Sequence, residues 1–134
     1  MKIINKTDYN SVELLRIFNE CELLIKQANA KKVIVKYHRN IFNKKIDYVG
    51  GYAVVGGSLI VIKLPENDKW VMNSNIGELQ HKSQLIATVY IHELGHIMRV
   101  KHNVGMTIEW MFVKQIRANF NDKLFNIEKI VNKS

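Results

Sequence analysis

The sequence predicts an α+β fold: a small, mixed, twisted sheet packed on one central helix, with further helices after it. Three observations carry this reading. β-Prone runs near 2–5, 33–37 and 50–64 are interrupted by a stretch with helical periodicity. A later stretch, from Leu85 to Met98, is apolar nearly all round and so belongs to a buried helix rather than a surface one. Beyond residue 106, apolar residues return at every fourth position.

In chain order, residues 2–5 form a short first strand. From Ser11 to Asn29, Leu14, Phe18, Cys21, Ile25 and Ala28 recur at alternating spacings of four and three, the stripe of an amphipathic helix. Asn10 followed by Glu13 is a capping arrangement at its start. Val33-Ile34-Val35-Lys36-Tyr37 is a β-branched run of strand type. Strand, helix and strand together predict a right-handed crossover and a partly parallel sheet. Residues 39–47, with Arg39, Lys44 and Lys45, read as a basic, irregular solvent loop. Between Gly50 and Pro65 two β-prone runs flank Gly56-Gly57, which predicts a tight reversal or a bulge. Pro65 ends the second run because it cannot donate to a ladder. Trp70 is expected as a core anchor. Residues 71–77 read as a loop, with Asn73, Ser74, Asn75 and Gly77 as turn formers.

The central helix is expected to begin between Glu78 and Gln84. It carries His92, Glu93 and His96, the H-E-x-x-H pattern. Histidines four apart lie one above the other on a helix face, so both imidazoles can reach one cation. Neutral imidazoles hold Zn²⁺ at about 2.0–2.1 Å, and an open coordination position leaves a water whose pKa falls to about 7. Glu93 is placed to take that water's proton and hand it to a leaving amine. A helix buried on all sides would rarely carry these three groups without partners, since burying unpaired polar groups costs several kcal/mol. His38 and His81 read as ordinary polar residues.

Two ligands hold zinc loosely, so a third is expected, with His102 as first candidate and Glu109 as its rival. On an unbroken helix His102 would lie about 15 Å along the axis and roughly 80° around from His92. The helix must therefore stop near Arg99 for His102 to ligate.

The stretch from His92 to His102 resembles the metzincin signature H-E-x-x-H-x-x-G-x-x-H, except that Arg99 stands where the family has glycine. The segment from Gly50 to Trp70, glycine-rich strand, acidic turn and tryptophan, is similar to the matrixin branch. The resemblance implies a zincin-like zinc metallopeptidase, a hydrolase in which His92, His96 and His102 bind zinc and Glu93 is catalytic. It also implies that backbone from about Gly57 to Ile62 pairs with an extended peptide substrate. Met106 would stand in a methionine turn beneath the metal; the other reading is a core methionine. With Glu109 as third ligand the site would instead resemble gluzincins. Tyr48 or Tyr52 could assist the oxyanion. After Met106, Thr107 can cap a helix bearing Ile108, Phe112, Ile116 and Phe120, and Asp122 can begin a last helix.

At 134 residues the size predicts one domain, spanning 1–134, and 47% hydrophobic with 24% charged residues is ordinary for a globular protein. No apolar run is long enough to span a membrane, and the N-terminal residues lack a signal peptide's apolar core, so a cytoplasmic location is expected. Cys21, the one cysteine, cannot form an internal disulfide and reads as a small buried hydrophobe. The net charge of +8 raises nucleic acid as a partner, but the lysines are scattered and no companion motif accompanies them. A peptide or protein substrate is the expected partner. A basic, zinc-stabilised binding protein without catalysis is the alternative from another class.

Overall fold

The computed structural model describes residues 1–26, 28–71, 73–74, 77–78, 81–98 and 111–120. Strand β1 is Lys2–Asn5, helix α1 Ser11–Ile25, β2 Lys32–Tyr37, β3 Gly50–Ala53 and β4 Leu59–Leu64. The short strands β5, Asn73–Ser74, and β6, Gly77–Glu78, precede helices α2, Lys82–Ile97, and α3, Val113–Asn119. The described chain is thus α+β, as expected. None of its helices is long and apolar enough to cross a membrane.

The larger sheet has the order β1-β2-β4-β3. β1 and β2 run parallel, as the strand, helix and strand pattern predicts, and β2 and β4 are also parallel. β3 runs antiparallel to β4 and closes the sheet on that side, with Tyr52 opposite Val61. The reversal between them forms where Gly56-Gly57 predicts one. Gly56 has φ 73°, which favours glycine, and the Gly57 N–H donates to the Val54 carbonyl at 2.8 Å.

Side chains alternate across a strand, so Val33 and Val35 of β2 share a face with Ile60, Ile62 and Leu64 of β4. All five are buried in the core with Leu14, Ile17, Phe18 and Cys21 of α1 and the apolar residues of α2. Phe18 stacks on Tyr90 with ring centroids 4.5 Å apart, joining the two helices. Cys21 is fully buried, its sulfur 3.7 Å from the Ala87 carbonyl, and burial pushes its thiol pKa well up. It is the inert small hydrophobe expected. Trp70 is buried edge-on to Tyr9 and anchors the core as predicted.

Three expectations shift in detail. α1 stops at Ile25 rather than Asn29 because Lys26 turns left-handed at φ 63° and its N–H closes on the Glu22 carbonyl. The cap at its start is as read: the Asn10 side chain accepts from the Glu13 N–H at 3.0 Å. The basic loop at 39–47 is exposed but ordered, with a bridge between Arg39 and Lys45. In the stretch read as a loop at 71–77, Asn73 pairs with Glu78 and Ser74 with Gly77 in a short antiparallel pair of strands. The early part of the helix expected after Thr107, and the last helix from Asp122, lie outside the described residues. Ile116 and Phe120 are buried, as their spacing predicts.

Candidate metal centre

Helix α2 owes its position to the absence of a polar face. From Ser83 to Gly95 every residue but Val89 is buried, so the helix threads the core and must satisfy its polar side chains there. Its start lies inside the expected window. The His81 N–H donates to Gln84 Oε1 at 3.3 Å, and Gln84 Nε2 donates to the Phe120 carbonyl at 3.2 Å, pinning the start of α2 to the end of α3. Thr88 donates back to the Gln84 carbonyl at 2.8 Å.

In its last six residues α2 brings together His92, Glu93 and His96. One ligand-type atom from each lies within 4.8 Å of the others, so the three form a group that can hold a metal ion. The imidazoles meet edge to face, centroids 4.9 Å apart and planes at 78°. His96 Nε2 stands 3.9 Å from Glu93 Oε1. His92 and Glu93 are buried, whereas His96 is partly open, so the group has a closed side and a solvent side. Imidazole nitrogens and a carboxylate oxygen are all donors that zinc accepts. The donor set therefore fits a borderline cation such as zinc.

The described part of the helix ends near Arg99, where the sequence reading expects it to stop. α2 stops at Ile97, and the Met98 N–H closes the last turn onto the Leu94 carbonyl at 3.0 Å. Ile97 is five residues before His102. Arg99, His102, Met106 and Glu109 lie outside the described residues.

The reversal after β3 supplies a contact that sequence reasoning missed. The Gly56 N–H donates to the His96 carbonyl at 2.9 Å. β3 approaches α2 along its length as well, because Gly51 has no side chain. A Cβ there would lie 2.8 Å from the Val61 carbonyl oxygen and 3.0 Å from Val89 Cγ1. The glycine doublets at 50–51 and 56–57 signal close approach, but not against what.

The strand read from the matrixin resemblance as pairing with substrate needs correction. β4, which covers most of Gly57–Ile62, lies between β2 and β3, and its backbone groups are committed on both sides. Among the described residues, the edge strand beside α2 is β3. Tyr52 is placed away from the centre: it shares the face of Val61 and Lys63, with the Lys63 ammonium 5.4 Å from its ring centroid, whereas Gly51 faces α2. Tyr48 packs edge-on against His38, whose Nδ1 lies 2.7 Å from the Tyr48 carbonyl oxygen. His38 is thus a buried residue with a local partner, as an ordinary polar residue should be. No protein-family model, curated protein or solved structure matches this chain.

Proposed function

We propose that the protein is a zinc-dependent endopeptidase of metzincin type, with His92 and His96 as metal ligands, His102 as the third, and Glu93 as the catalytic base. The observation that carries this reading is the buried His92, Glu93 and His96 group on α2, open to solvent on the His96 side. A buried helix gains nothing for its own packing from two imidazoles and a carboxylate. A buried cluster of this kind is where metal binding and proton transfer are commonly built.

Bound zinc would supply Lewis acidity, which both acidifies water and polarises a peptide carbonyl. Glu93 takes a proton from the attacking water and returns it to the departing amine. Its place on the closed side of the group keeps the carboxylate out of bulk solvent. β3, the edge strand among the described residues, offers backbone N–H and C=O groups to an extended peptide, and the Gly56 to His96 contact ties the end of that strand to the histidines.

The test is metal analysis of the purified protein beside cleavage of a mixed peptide library, with Glu93→Ala as control. The reading expects bound zinc and cleavage that the variant lacks. A protein that takes up no transition metal under conditions that load other zinc enzymes would overturn it. Zinc binding without any cleaved peptide, unchanged by Glu93→Ala, would leave the basic, zinc-stabilised binding protein instead.

A further inference from the structure

The loop that leaves β2 ends in two apolar side chains held out in water: Ile41 is 93% and Phe42 75% exposed. We propose that this tip is a membrane-surface anchor, with Ile41 and Phe42 entering the interfacial layer of an anionic bilayer and the neighbouring basic side chains meeting lipid phosphates.

The tip is built to stay out. Asn40 Oδ1 accepts from the N–H groups of Phe42 and Lys44, at 2.9 and 3.0 Å. The Asn43 N–H donates to the Asn40 carbonyl, and the Asn40 N–H to the Lys44 carbonyl, each at 3.0 Å. Asn43 is left-handed at φ 61°, which asparagine tolerates. At the base, Arg39 forks onto the Glu66 carboxylate and donates to the Asn43 carbonyl at 3.0 Å. These bonds satisfy the turn's polar backbone locally and leave the apolar pair projecting from it. Such a tip enters an interface without first paying to be ordered.

Size and charge select the partner. Two side chains are far short of the roughly 800 Å² a stable protein interface takes from each partner, but they suffice as one element of a reversible lipid anchor. Lys44 and Lys45 are exposed beside the tip, and the cross-strand pair Lys36 and Lys63 stands at the same end of the sheet. Of the acids near the base, Glu66 is engaged by Arg39 and Lys45, and Asp47 accepts from the Asn67 amide. The surplus is positive locally as it is for the whole chain, at +8. An apolar wedge with exposed lysines beside it matches a leaflet carrying anionic headgroups. It does not match a neutral apolar pocket.

Co-sedimentation with lipid vesicles tests this independently of any peptidase activity. Wild-type protein should pellet with vesicles of phosphatidylcholine containing about one-third phosphatidylserine, less with phosphatidylcholine alone, and less as salt is raised. Ile41→Ser with Phe42→Ser should lower the partition coefficient about a hundredfold while leaving the melting temperature unchanged, since both side chains already stand in water. Lys44→Ser should lower it about fivefold, and only on anionic vesicles. Failure of the wild type to pellet with anionic vesicles would overturn the proposal, as would equal binding by the double variant.

Discussion

The backbone N–H of Gly56 donates to the carbonyl oxygen of His96 at 2.9 Å, so the tip of the β3–β4 reversal caps the last turn of α2. The final carbonyls of a helix have no partner within it, and here the sheet supplies one. His96, a member of the candidate metal group, is thereby tied through its backbone to the reversal that follows β3.

Gly56→Ala tests that tie. At φ 73° an alanine costs on the order of 1–2 kcal/mol, which should lower the melting temperature by about 3–10 °C. Metal should also be held less tightly, as judged by competition with a chelator. A variant that melts and retains metal as the wild type does would show the contact to be incidental.

Gly51→Ala should destabilise by about 1–3 kcal/mol through overpacking, measured by urea denaturation. Its Cβ would meet the Val61 carbonyl at 2.8 Å and Val89 Cγ1 at 3.0 Å. Adding Val89→Ala removes the second clash but not the first, because a backbone oxygen cannot rotate away. Partial rescue is therefore expected; full rescue would show that the sheet yields.

Glu93→Gln should keep the metal and lose about 10²-fold to 10⁴-fold in peptide cleavage, the share a positioned general base contributes. The amide has nearly the same shape as the carboxylate but cannot accept the proton. Cleavage at the wild-type rate would remove Glu93 from the mechanism.

His102→Ala and Glu109→Ala, made separately, should differ. The replaced ligand costs metal affinity sharply, whereas the bystander costs none, and zinc content after dialysis reads the difference. The expectation is loss with His102→Ala. Loss with Glu109→Ala alone would make the site gluzincin-like.

Alkaline pH should unfold the protein through its tyrosines. Burial pushes Tyr9 up to about 12, and burial with the Asp8 carboxylate does the same for Tyr37. Tyr90 is raised further by burial and by the Glu22 carboxylate, to which its hydroxyl donates at 2.6 Å. In the unfolded chain these phenols ionise near 10. Stability is therefore fully present below about pH 10 and falls as pH rises from there through the folded values, since the unfolded state then sheds protons first. Tyr90→Phe should make that fall shallower, and by leaving Glu22 short of a donor it should cost about 1–3 kcal/mol at neutral pH. Urea midpoints at pH 7 to 12 would show both effects; an unchanged slope would clear Tyr90.

Much of the architecture was legible locally. The β-branched run of β2, the Asn10 cap of α1 and the position of Pro65 each act within a few residues, so propensity and hydrogen-bond chemistry suffice to read them. The end of α1 was misread because Ala28 continues the apolar spacing past Lys26, and periodicity does not register a left-handed residue. The strand at the sheet's edge was misassigned for a different reason: two β-prone runs joined by a reversal are equivalent until one of them pairs with a third strand.

The sequence by itself determined that His92, Glu93 and His96 share a stretch of one buried helix, because a period of 3.6 residues and an apolar surround are properties of the local chain. Only the tertiary structure decided that, among the described strands, β4 pairs with β2 and leaves β3 at the edge, and that Gly56 reaches the His96 carbonyl forty residues further along the chain. Both are contacts between distant segments, selected by which faces bury together, and no spacing within either segment encodes them.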